Sequence, residues 1–265
     1  MRVLLRWSVV VAIATTAWTV SSCAGGKDTA RDSAASPNTT AGASDSTQRD
    51  ERADAMSGAA ASAPTDSSAV ARERSAAPAF LIVGTSLTAG LGLDPNDAYP
   101  AVLQRMADSA GHRVRIVNAG LSGETSAGAL RRLDWLLREP AAGVMIETGA
   151  NDGLRGLDVD STRANLTAIV RLVKRTLPGA AILLVQMEAP PNLGAAYTKQ
   201  FHDNYGVVAR EEGVTLLPFL LDGVAGVKRL NQADGIHPTV EGAKRVAATL
   251  WPVVGPVLSR LANGS

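Results

Sequence analysis

Cysteine is all but missing from this chain of 265 residues. Its one thiol, Cys23, rules out a disulfide framework or a cysteine-built zinc site within a single chain. Aromatic residues make up only 4%, too few for a platform that stacks nucleic-acid bases. Neither sign of charge dominates: the formal net charge is +1, so no strong field draws the chain to nucleic acid or to an anionic surface. No lysine follows the glycines of the stretch 84–92, which excludes a P-loop there, and no G-x-G-x-x-G occurs. Histidine is scarce too. Any chemistry that needs an imidazole has three candidates, His112, His202 and His237.

What is present begins with "MRVLLRWSVVVAIATTAWTVSSCAGG". Arg2 and Arg6 precede an apolar stretch that runs to about Val20 and then turns small and polar. This is the pattern of a signal peptide, too short for a comfortable membrane span. "VSSC", Val20 to Cys23, resembles the lipobox of bacterial lipoproteins, in which the chain is cut before the cysteine and the cysteine is lipidated. The expectation is a lipoprotein-type signal peptide over 1–22, then a lipidated Cys23 and a disordered linker over 23–78. The plain alternative is an ordinary signal peptide with an incidental cysteine. Residues 24–78 contain no aromatic residue, and their only large apolar side chains are Met56 and Val70. Such a segment cannot bury enough surface to offset its chain entropy. Alanine, not aspartate, follows Cys23. By the same resemblance the protein is expected in the cell envelope, anchored on the periplasmic or outer-membrane side.

From Ala79 to the end, residues 79–265, short apolar runs alternate with helical patterns. Strands are predicted at 80–83, 113–120, 143–149, 181–187 and 214–219, and helices at 98–111, 126–139, 161–179, 195–213 and 239–261. Alternation of this kind predicts an α/β domain, a parallel sheet covered on both faces. Sites in open α/β sheets lie beyond the C-terminal ends of the strands. Four turns fall there: 84–88, 119–125, 149–156 and 234–238.

Ser86, in "FLIVGTSLTAGLGL", follows the first strand, but its flanks do not match the G-x-S-x-G elbow. Alone, it reads as a cap or turn serine. A serine nucleophile needs a base. His112 falls at the wrong end of strand two, and His202 lies among polar neighbours in a helix. His237 in "DGIHP" remains, and Asp234 precedes it by three, close enough for a turn to bring the carboxylate to the imidazole. A simple helix-capping turn would use the same residues. Gly123 in "LSGETS" and Asn151 in "TGAND" are placed to donate a backbone N–H and a side-chain amide to one oxyanion. Each is equally at home in a helix-entry turn or an Asx turn.

Taken in order, "GTSLTAGLGL", "NAGLSGETS", "GANDGLRG" and "DGIHP" resemble the SGNH hydrolases of the GDSL family. They are most similar to its bacterial arylesterase and acyl-CoA thioesterase I/lysophospholipase group. The resemblance spans about Phe80 to Leu261. It implies a flavodoxin-like three-layer α/β/α sandwich on a five-stranded parallel sheet. It implies Ser86 as nucleophile, His237 as base, Asp234 as its partner, and an oxyanion hole from the Ser86 N–H, the Gly123 N–H and the Asn151 side chain. Thr85 departs from the family's Gly-Asp-Ser-Leu. A threonine can accept a local hydrogen bond but carries no charge, which predicts weaker support of this loop. Returning aspartate to position 85 is expected to leave activity intact or raise it.

The reading is a lipid-anchored serine esterase acting on small-molecule or lipid acyl esters: aryl esters, thioesters or lysophospholipids. No metal or organic cofactor and no nucleic acid is implied. The loop 188–197 is expected to border the acyl groove. The rivals are a carbohydrate or cell-wall O-acetyl esterase, and a catalytically silent binding protein on the same fold.

Overall fold

The computed structural model describes residues 76–264, so the signal-peptide, lipidation and linker expectations, Cys23 among them, lie outside the described residues. Five strands run β1 Ala79–Gly84, β2 Arg115–Gly120, β3 Gly143–Ile146, β4 Ala181–Gln186 and β5 Thr215–Phe219. They pair in parallel in the order β2-β1-β3-β4-β5. Among the described residues seven α-helices accompany them: α1 Ser86–Ala89, α2 Tyr99–Ser109, α3 Ser126–Leu136, α4 Ala150–Leu154, α5 Val159–Thr176, α6 Ala195–Glu211 and α7 Val240–Ala262. Helix α2 packs on α7, while α5 packs on both α3 and α6. With right-handed crossovers this gives three layers, α2 and α7 on one face of the sheet and α3, α5 and α6 on the other. The expected α/β/α sandwich is the observed one.

The central strands are continuous apolar runs because helices cover both of their faces. β1 (AFLIVG) and β3 (GVMI) are buried at every position. Edge strands β2 and β5 are only part-buried. Phe80, Ile82, Met145, Ile146, Leu183 and Leu184 are among the largest fully buried side chains. Phe80→Ala should cost about 3–5 kcal/mol of stability, the usual range for emptying a buried phenylalanine site. Urea unfolding checks this, and a loss under about 1 kcal/mol would contradict the packing described.

Helix α7 runs through Pro252 and Pro256, each of which removes an intrahelical hydrogen bond. Both face solvent, where water can satisfy the freed carbonyls, while Leu250, Val254 and Leu258 stay buried. None of the described helices is long and apolar enough to cross a membrane.

The order 2-1-3-4-5 places the site. After β1 the chain moves outward to β2, then returns past β1 to β3. The turns following β2 and β3 therefore flank the turn following β1, at the point where the strand order reverses.

Candidate active site

Ser86 opens α1 immediately beyond β1. Thr85 caps this one-turn helix, its hydroxyl accepting from the Leu87 N–H at 3.4 Å, and Gly90 closes it in the left-handed region at φ 74°. Gly84 makes the turn possible. A Cβ there would lie 2.0 Å from Thr88 Oγ1 and 2.7 Å from Glu147 Oε2.

His237 arrives on the loop before α7. Asp234 Oδ1 accepts from the N–H groups of Ile236 (2.9 Å) and His237 (3.0 Å), which shapes the turn, and Oδ2 meets His237 Nδ1 at 2.6 Å. His237 Nε2 lies 2.8 Å from Ser86 Oγ. A proton on Nδ1 donated to Asp234 leaves Nε2 to accept from the serine hydroxyl. Gln232 locks this loop to the turn that carries Ser86, donating to the carbonyls of Leu91 (2.7 Å) and Pro238 (2.9 Å). Partial burial pushes the Asp234 carboxyl up, but hydrogen bonds from the His237 backbone, the imidazole and the Ile236 backbone outweigh it, with the pull of His237. The pKa is held down to about 2. The folded value is thus depressed. The stabilisation it gives is present above the ordinary carboxylate pKa of ~3.9 and is lost as pH falls through about 2.

Gly123 and Asn151 stand on the two flanking turns. Gly123 adopts φ 78°, and its carbonyl accepts from Arg155 Nη2 at 3.0 Å. Asn151 Nδ2 donates to the Glu124 carbonyl at 2.9 Å, one residue beyond Gly123, which ties the two turns together and leaves its second amide hydrogen free of that bond. Asp152 reinforces the tie. Its carboxylate accepts from the Ser126 N–H (2.8 Å) and Ser126 Oγ (2.5 Å) at the start of α3. Glu124 is paired with Arg132 at 2.6 Å, and Arg132 also donates to the Ala119 carbonyl at 2.7 Å.

The other two histidines stand apart from Ser86 in the way the pattern predicts. His112 stacks on Trp251 with ring centroids 6.2 Å apart. His202 is exposed and meets Glu188 at 2.6 Å. Among the described residues no group of three or more His, Cys, Asp or Glu side chains is placed to hold a metal ion.

A model of the GDSL-like lipase/acylhydrolase family matches residues 82–245. The chain belongs to this family. It is accordingly an ester hydrolase. It is 43% identical over 187 residues to Esterase TesA of Pseudomonas aeruginosa, covering 70% of this chain and 92% of that protein. To Thioesterase 1/protease 1/lysophospholipase L1 of Escherichia coli K12 it is 36% identical over 185 residues, covering 69% of this chain and 86% of the relative. Among solved structures, the psychrotrophic esterase EstA from Pseudoalteromonas sp., inhibited by monoethylphosphonate, superposes with a TM-score of 0.65 at 34% identity, covering 68% of this chain and 98% of EstA.

For an acylhydrolase the surroundings of Ser86 are informative. The hollow beside it, lined by Leu87, Leu93, Tyr99 and His237, encloses only about 10 Å³. That is about the room one water needs, too little for an acyl chain. Larger hollows of about 500 and 540 Å³ lie between helices and do not include Ser86 or His237. Instead, five of the seven exposed large apolar side chains described lie at the Ser86 end of the sheet: Leu91, Leu121, Leu157 and Ile236 on turns, and Leu154 at the end of α4. The loop 188–197 packs against the Asn151 turn, with Tyr197 donating to the Leu157 carbonyl at 2.7 Å.

Glu147 is the residue that the sequence pattern did not single out. It reads as the interior of a seven-residue strand, but β3 ends at Ile146 and Glu147 turns under the Ser86 loop. Its carboxylate accepts from the Thr85 N–H at 2.9 Å, the Thr85 hydroxyl at 3.0 Å and the Thr88 hydroxyl at 2.7 Å. Position 85 therefore faces a carboxylate already present. An aspartate there would set two buried carboxylates side by side, and they could not both ionise. The expectation that aspartate at 85 leaves activity intact or raises it holds only while that pair shares a proton.

Proposed function

We propose that Ser86 is the nucleophile of this ester hydrolase, His237 its general base and Asp234 the group that orients the imidazole. The reading rests on one observation: the continuous chain Asp234–His237–Ser86, with contacts of 2.6 and 2.8 Å, at the C-terminal edge of the sheet. Ser86 Oγ attacks the acyl carbonyl as its proton passes to His237 Nε2. The oxyanion receives hydrogen bonds from the Ser86 N–H, the Gly123 N–H and the free Asn151 amide hydrogen. Collapse breaks the bond to the alkoxide, phenoxide or thiolate, which leaves with the proton from His237. Water then attacks the acyl-serine, giving its proton to His237, and the second collapse returns that proton to Ser86 and frees the acid.

The substrates are acyl esters whose chain lies along the open apolar rim rather than in a tunnel: aryl esters, thioesters or lysophospholipids. With p-nitrophenyl esters, kcat/KM should rise by roughly twofold to fourfold per added methylene while the rim still has surface to cover. A preference for acetyl, with turnover of acetyl-xylan, would instead support a carbohydrate O-acetyl esterase.

The same reading makes Cys23 a lipid attachment point and the protein an envelope lipoprotein, on the strength of "VSSC" behind an apolar stretch. Several acyl chains at about 0.8 kcal/mol per buried methylene hold a protein firmly at a membrane. Cys23→Ala should move the protein from the membrane to the soluble fraction, and a variant that stays in the membrane fraction overturns the assignment. A fragment of residues 79–265 should fold and hydrolyse esters without the preceding segment. An inactive fragment beside an active full chain would contradict that boundary.

A further inference from the structure

Glu147 is fully buried, yet among the described residues no lysine, arginine or histidine pairs with it. A buried charge without a cation is costly unless hydrogen bonds compensate. The compensation comes almost wholly from the nucleophile turn. Backbone and side-chain donors of Thr85 and Thr88, on either side of Ser86, converge on this one carboxylate.

We propose that Glu147 is the positioning residue of the Ser86 turn, that it acts in its ionised form, and that Thr85 is matched to it. The proposal rests on Ser86 being the nucleophile. An ionised carboxylate is an acceptor only, so every donor around it can point inward. Thr85 serves as the link: its hydroxyl donates to Glu147 while accepting from the Leu87 N–H, so the helix that carries Ser86 is strung from the carboxylate through a single oxygen. A second string runs from Glu147 through Thr88 Oγ1 to the Tyr99 hydroxyl, 2.6 Å further on. Protonating Glu147 forces one of these bonds to reverse or break, and Ser86 loses a fixed support.

The two tyrosines whose electrostatics couple to Glu147 are neutral near pH 7. Tyr99 on α2 and Tyr205 on α6 both have their hydroxyl pKa raised, first by burial, with the negative charge of Glu147 adding to it. On α3, Arg132 contacts the Gly84 carbonyl at 3.4 Å, but its charge is engaged by Glu124. His237 and Asp234 address Ser86 from the opposite loop. Burial raises the Glu147 carboxyl to about 7, against the lowering effect of the Thr85 and Thr88 hydrogen bonds. Its ionisation therefore changes within the working range of an esterase.

The test compares full-length wild type, Glu147→Gln, Thr85→Val, Thr85→Ser and Thr85→Asp. Two readouts are taken: ester turnover across pH, and the rate constant for labelling by a fluorophosphonate, which reports the reactivity of Ser86 itself. Glu147→Gln and Thr85→Val should each lower kcat and the labelling rate by roughly 10- to 100-fold, the scale of a misplaced reacting group. KM should move by less than about threefold. Thr85→Ser keeps the hydroxyl and should restore both to within about threefold of wild type. On the acid side, kcat in wild type should fall more steeply with falling pH than in Glu147→Gln, by the one proton that Glu147 takes up. Thr85→Asp should gain an alkaline limb as the carboxylate pair loses its shared proton. Folded Glu147→Gln and Thr85→Val proteins that label and turn over at wild-type rates overturn the proposal. If Glu147→Gln does not fold, Thr85→Val against Thr85→Ser decides alone. A wild-type chain that does not label at all overturns the nucleophile reading, and this inference with it.

Discussion

Ser86→Ala and His237→Ala should each lower kcat by on the order of 10⁴–10⁶, and the double variant should be little worse than either. The reason is the single hydrogen-bonded path from Asp234 to His237 to Ser86. Once the hydroxyl is gone, the imidazole has no proton to take. Once the imidazole is gone, the hydroxyl stays protonated. Residual turnover comes from the oxyanion donors and from binding, which both single variants keep. Steady-state kinetics on a p-nitrophenyl ester, with circular dichroism to confirm folding, measures this. Substantial activity in Ser86→Ala would end the mechanism.

Asn151→Ala should lower kcat by roughly 10²–10³, the usual cost of one oxyanion donor, with a much smaller change in KM. The amide strengthens its bond only as the carbonyl oxygen acquires charge, so ground-state binding is largely spared. One complication is local. The same side chain also holds the Gly123 turn through the Glu124 carbonyl. Asn151→Asp keeps the side-chain length but cannot donate at neutral pH, so it loses both the oxyanion bond and the tie to the Glu124 carbonyl. It should be at least as damaging as alanine, since it turns a carboxylate toward the oxyanion. A fall in kcat of less than about tenfold in both variants would remove Asn151 from the hole.

The regular elements were legible because their hydrophobic periods are strong. All five strands and the five long helices stand within a few residues of where the pattern puts them. Helices α1 and α4 were read as turns, since four or five residues carry no periodicity. Both are dictated by what surrounds them: a cap at Thr85 for one, and for the other Gly149 at φ 97°, where a Cβ would strike the Tyr205 hydroxyl at 2.2 Å. The proposed site residues stand out in the sequence because Ser86, Asn151, Asp234 and His237 each carry a chemically distinct side chain at a strand end or helix entry, with Gly123 on the turn after β2. Glu147 and Asp152 do not stand out, although one lies two residues before the motif "GANDGLRG" and the other within it. Glu147 falls inside the stretch 143–149 that reads as one strand, where the pattern says nothing of which loop it meets. Only the closeness of β1 and β3 shows that it is enclosed and turned toward the neighbouring loop.

The enclosure of Glu147 also sets fold and turnover against each other. The folded chain holds this proton up to about pH 7, whereas an unfolded glutamate releases it near 4.3. Between those values the native state binds the extra proton, so resistance to unfolding declines as pH climbs from about 4.3 to about 7 and levels off above. Turnover, which needs the anion, climbs over the upper part of the same interval. Through this one carboxyl, resistance to unfolding is greatest at the pH where its support of Ser86 is weakest.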